Sequence, residues 1–149
     1  MGQEGLVFGM IEGPAYRTDN YRYLQARNSD VINSLSVPEN DEWPWLNRSV
    51  FALPGPCPQG TYRNQVIHFG LSDKYDPPEN SHEQQWLAKF EEVLRKLFWL
   101  KAQAIFTYES HYENSLYVWS PTNEAINAIV SDEPTPVHRW VRRKLTLPR

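Results

Sequence analysis

The feature that most constrains this chain is the stretch from Ser81 to Leu100. Trp86, Phe90, Val93, Leu94, Leu97 and Leu100 recur at the helical period and form one apolar stripe. Ser81 with Gln84 three residues later has the form of a capping box, and Glu83 puts negative charge where a helix N-terminus favours it. Glu91–Arg95 and Glu92–Lys96 stand four apart in the favourable order and are expected on the opposite, solvated side. An amphipathic helix over about 82–100 must bury its stripe, so the rest of the chain has to supply a surface for it. Trp99 points away from that stripe on an ideal helix and is expected either under the following strand or exposed.

The remaining segments read mostly as strands. Leu6 to Ile11 is a short apolar run closed by Gly13-Pro14. Asp30 to Leu35 predicts a helical turn or short helix. Pro38, Pro44, Pro54, Pro56 and Pro58 forbid a continuous helix, leaving Ser49 to Leu53 as a short strand. Tyr62 to Leu71 alternates, with Ile67, Phe69 and Leu71 on one face and Val66 and His68 on the other. Asp73 to Asn80 reads as a polar loop. After the long helix, Ala102 to Glu109 and Leu116 to Trp119 predict a hairpin. A short helix follows through Ile129, with Ser120 or Thr122 as its cap. Pro134 and Pro136 are expected to end the regular structure. The element order predicts an α+β fold: one domain over 1–149, with a mostly antiparallel sheet of about five strands and the long helix on one face.

Composition narrows the compartment and the partners. Six Trp, eight Tyr and six Phe in 149 residues supply large rings for a single core. No run approaches the roughly 18 apolar residues of a membrane span. Glu4 stands where a secretory signal would be positive, and the lone cysteine, Cys57, has no partner for an intramolecular disulfide. A reducing, cytoplasmic location is the expectation. The formal charge of −3 is unevenly spread: Arg139, Arg142, Arg143, Lys144 and Arg149 give the last twelve residues +5, leaving −8 on the remainder. An acidic body disfavours nucleic acid and favours basic partners. The basic tail, interrupted by Trp140, Val141, Leu145 and Leu147, reads as a docked, partly solvated terminal element.

Motifs for catalysis are absent. None of His68, His82, His111 and His138 forms an H-x-x-x-H pair. Glu109 and His111 lie two apart on one strand face, and His68 joining them would make a three-ligand metal site. The alternative puts Glu109 and His111 at a solvated turn and His68 on the sheet surface. Cys57 lies between Pro56 and Pro58, without the helix N-terminus or paired histidine that activates a thiol. The acids have no spacing that a hydrolytic pair demands, and the seven glycines form no phosphate-binding loop. No cofactor is implied, and a binding protein is expected rather than an enzyme.

Two loops carry the binding expectation. Glu39-Asn40-Asp41-Glu42-Trp43-Pro44-Trp45 sets two indoles among three acids in a proline-rich stretch, and Asp73-Lys74-Tyr75-Asp76 is a second acidic, aromatic loop. The competing reading has both indoles closing over the core while the acids face water. Asp41-Glu42-Trp43-Pro44-Trp45, His68-Phe69-Gly70 within the Tyr62–Leu71 strand, and Trp86 to Trp99 followed by a hairpin resemble the small immunity proteins of bacterial polymorphic-toxin systems. That resemblance implies tight binding to a cognate toxin protein, often by covering its active site. Glu39, Asp41, Glu42, Trp43, Trp45, Asp73, Tyr75 and Asp76 are the expected contacts. The alternatives are a small hydrolase around His68, Glu109 and His111, and an adaptor or structural subunit of a phage or secretion assembly.

Overall fold

A computed structural model describes residues 3–14, 21–55, 64–75, 82–108 and 114–147. Alternating apolar residues in four segments build one buried sheet face: Val7 and Ile11, Ile67 and Phe69, Ala102 to Tyr108 at every second position, and Tyr117 and Trp119. The elements run β1 (Gln3–Glu12), α1 (Tyr21–Asn33), β2 (Phe51–Ala52), β3 (Val66–Tyr75), α2 (His82–Leu94), β4 (Lys101–Tyr108), β5 (Asn114–Pro121), α3 (Asn123–Ile129) and β6 (Trp140–Leu147). All strand pairs are antiparallel, and the order across the sheet is β2-β3-β1-β4-β5-β6. The α+β class and the helix on one face agree with the sequence pattern.

Helix α2 lays its rings on that face. Trp86 stacks on Phe90 with centroids 5.0 Å apart, and Phe90 meets Phe69 of β3 at 4.9 Å and Trp119 of β5 at 5.0 Å. Trp86 meets Phe106 edge-on at 5.4 Å. Such pairs add to the area they bury. Ala102 and Ala104 are the small residues beneath this aromatic layer. In the central strand, a Cβ on Gly9 would stand 2.0 Å from the Gln103 carbonyl oxygen and 2.9 Å from the Phe69 ring, so only glycine fits there.

Several expectations need correction. The helix ends at Leu94 rather than Leu100, because the next apolar residues are captured by other elements. Asn28 of α1 donates to the Phe98 carbonyl at 2.8 Å and accepts the Phe98 N–H at 2.8 Å, which satisfies that peptide as a strand would. Leu100 N–H bonds the Glu12 carbonyl at the end of β1. Trp99 therefore leaves the helical path and is fully buried, its indole N–H donating to Leu94 O at 2.9 Å. Helix α1 starts nine residues earlier than the expected turn at Asp30, since Tyr21, Leu24, Asn28 and Ile32 all face inward. Strand β3 runs on to Tyr75 through residues expected in a loop, paired with Gln3 to Gly5. Ser49 and Val50 lie in a short 3-10 turn, Arg48–Val50, rather than a strand. The short helix α3 forms as expected, capped by Thr122. Ser81, the expected cap of α2, lies outside the described residues.

The largest difference is at the C-terminus, where the basic segment is not a tail but a sixth strand. Arg142 and Lys144 share the helix-facing side of β6 and reach acids on α2, Arg142 to Glu91 at 3.3 Å and Lys144 to Glu83 at 3.8 Å. Glu91 also accepts from the Trp119 indole at 2.7 Å and the Trp140 indole at 3.3 Å. It thus faces the sheet rather than pairing with Arg95, which bonds Glu92 instead.

Candidate partner-binding loop

Residues 38–47 form an irregular loop on the α2 side of the sheet, before β2. Its organiser is Asp41, whose side chain is only 3% exposed. One carboxylate oxygen accepts the Glu42 N–H at 2.9 Å and the Lys89 ammonium; the other accepts the Leu46 N–H at 2.8 Å and the Asn47 amide at 3.0 Å. Lys89, from the middle of α2, also donates to the carbonyls of Glu42 at 2.7 Å and Pro44 at 2.9 Å. The Trp86 indole donates to Trp45 O at 3.2 Å. Asn47 then caps the next turn by accepting the Ser49 N–H at 3.1 Å. Burial pushes the Asp41 carboxyl up, but Lys89, Asn47 and the two backbone N–H groups outweigh it and hold it below the ordinary carboxylate value.

This clasp decides which residues meet water. Pro44, joined to Trp43 by a cis peptide, is buried, and so is Leu46. Trp43 and Trp45 on either side remain 36% and 39% exposed, with Glu39 and Glu42 exposed on the same loop. The loop thus closes on the core through Pro44 and Leu46, while more than a third of each tryptophan stays in water. Asp41, expected as a contact, turns both of its oxygens to the loop itself and to Lys89 of α2. The backbone of Asp73 and Tyr75 lies in β3, opposite Gly5 and Gln3, while their side chains and Asp76 lie outside the described residues.

The metal site considered as an alternative is not assembled among the described residues, where no group of three metal-ligating side chains occurs. Glu109 and His111 lie outside them. The exposed His68 lies in β3, opposite Met10 of β1. His68 instead lines a cleft of about 940 Å³ together with Arg22, Asp30 and Asn64, between α1 and the β2–β3 edge.

A second buried carboxylate escaped sequence reasoning. Glu83 was expected only as a negative charge at the helix N-terminus, but it is 2% exposed, and its two oxygens accept the hydroxyls of Tyr108 and Tyr117. Burial first, then Glu83, pushes the Tyr117 phenol well above its ordinary value. With both oxygens engaged and its side chain buried, Glu83 holds β4 and β5 to α2. Lys89 was equally hidden, because a lysine on a helix carries no local sign that it reaches into a loop 48 residues away.

No known family, curated protein or solved structure matches this chain. No helix among the described residues is long and apolar enough to cross a membrane.

Proposed function

We propose that this chain is a protein-binding inhibitor, a cytoplasmic immunity protein that neutralises a cognate toxin domain, and that it makes contact through the 38–47 loop. The observation that carries the reading is the Asp41–Lys89 clasp, which ties the loop to α2 while leaving more than a third of each tryptophan exposed. A loop that only sealed the core would bury its largest apolar side chains. Ordering the loop in the free protein lowers the entropy lost on binding, and tryptophan is enriched among residues that dominate interface energy. Exposed Glu39 and Glu42 beside the indoles suit a basic surface such as the substrate cleft of an enzyme acting on nucleic acid or nucleotides.

Co-expression with the product of the adjacent reading frame tests the proposal. The neighbour alone should be toxic, co-expression should restore growth, and the two should co-purify. Trp43→Ala combined with Trp45→Ala should weaken that complex at least tenfold while leaving the far-UV spectrum of the inhibitor unchanged. A neighbour that neither harms the cell nor binds would overturn the reading.

A further inference from the structure

The opposite edge of the sheet carries a different surface. β6 is the last strand, and no described strand pairs with its outer side, so alternate N–H and C=O groups along eight residues point outward. Its side chains divide by face. Trp140, Arg142 and Lys144 lie towards α2, with the Arg142 and Lys144 side chains 34% and 48% exposed. Val141, Arg143 and Leu145 lie on the other face, where Val141 is 58% and Leu145 50% exposed. Leu145 also ends a row of directly opposed residues, Phe8, Ile105, Leu116 and Leu145, that crosses four strands on that face. Among the described residues Arg143 has no acidic partner.

We infer that the free edge of β6 receives an extended strand from a partner protein whose sequence reads apolar, acid, acid, acid, apolar. The edge supplies the backbone bonds, Val141 and Leu145 receive the outer apolar residues, and Arg142, Arg143 and Lys144 receive the acids. The pattern is symmetric, so it suits either strand direction. A second copy of the chain is disfavoured, because antiparallel pairing of β6 with itself brings cations opposite cations. Nucleic acid is the poorer match, since it needs neither the outward backbone groups nor the exposed valine and leucine. The inference does not depend on the Trp43–Trp45 loop, which belongs to the other side of the sheet.

The experiment uses the full-length chain and a fluorescein-labelled peptide of eight residues, matching the length of β6, with that pattern at its centre. Anisotropy should report saturable binding. Arg143→Glu should weaken it about tenfold or more, and N-methylation of alternate peptide amides should abolish it in one of the two series only. Trp43→Ala with Trp45→Ala should leave it unchanged, so failure here and failure of the inhibitor reading are told apart. Three results would each overturn the inference: no saturable binding, equal binding of both N-methylated series, or a single-stranded oligonucleotide that binds more tightly and displaces the peptide.

Discussion

Asp41 and Glu83 are both carboxylates withdrawn from water, at 3% and 2% exposure, yet they are satisfied in different ways and hold different things. Asp41 is met by a lysine, an amide and two backbone N–H groups, and it ties an exposed loop to α2. Glu83 is met by two phenols, with the Lys144 ammonium of β6 farther off at 3.8 Å, and it ties β4 and β5 to the same helix from within the core. The first organises a surface without being part of it. The second has no surface role. The sequence marked neither as buried, Asp41 being read as a partner contact and Glu83 as helix-terminal charge, so an acidic composition does not by itself make an acidic binding face: the acids must first be divided into those that point out and those that fold the chain.

The contrast is breakable by mutation. Glu83→Ala should produce the largest loss, about 3 kcal/mol, since it strands two buried hydroxyls together. Urea unfolding checks this, and a loss smaller than that of Asp41→Ala would reverse the comparison. Asp41→Ala should cost about 2 kcal/mol, with a change in near-UV circular dichroism, because the loop that carries Trp43 and Trp45 loses its clasp. If the near-UV signal stays unchanged, the loop is held by something other than Asp41.

Protonation sharpens the same difference. The folded-state pKa of Asp41 lies below its ordinary value of 3.8. Its contribution is therefore complete above that value and is lost as pH falls through the folded pKa. Tryptophan fluorescence should report loop release on that acid limb, and Asp41→Asn should remove the step. Tyr117 has the opposite sign. Its phenol is raised, so its contribution is complete below the unfolded value of about 10 and fades as pH rises from there toward the folded pKa. Tyr117→Phe should cost about 1 kcal/mol at neutral pH and flatten that alkaline decline. Smallest of all, Trp43→Ala and Trp45→Ala should each change stability by less than about 1 kcal/mol, measured by thermal unfolding, since much of each indole is already in water. A larger loss would make the indoles core residues and remove the basis for the binding loop.

Elements with strong local periodicity were legible. The α2 stripe, the faces of β3, the antiparallel β4–β5 pair and the short helix α3 follow from residue spacing alone, while the structure decides for Thr122 over Ser120 as the cap of α3. Contacts distant in sequence were not. Nothing near Leu94 stops the helix, and the stop comes from Asn28, 70 residues before Phe98. Nothing in residues 140–147 marks them as a strand except the alternation of Trp140, Arg142 and Lys144 with Val141, Arg143 and Leu145, which the run of charge obscured. Of the candidate site, the Glu39–Trp45 segment was visible as aromatic and acidic, but the role of each member was not. Asp41 and Glu42 are neighbours of equal charge, and only the position of Lys89 decides that one is spent inside the loop while the other faces water.

By itself, then, the sequence determined the fold class, the main helix and the loop worth examining, because periodicity and proline content act over a few residues. Tertiary structure alone decided where α2 stops, that the basic segment becomes an edge strand, and which acids, indoles and cations remain exposed. Those outcomes depend on burial and hydrogen-bond partners supplied from far along the chain, which no local pattern encodes.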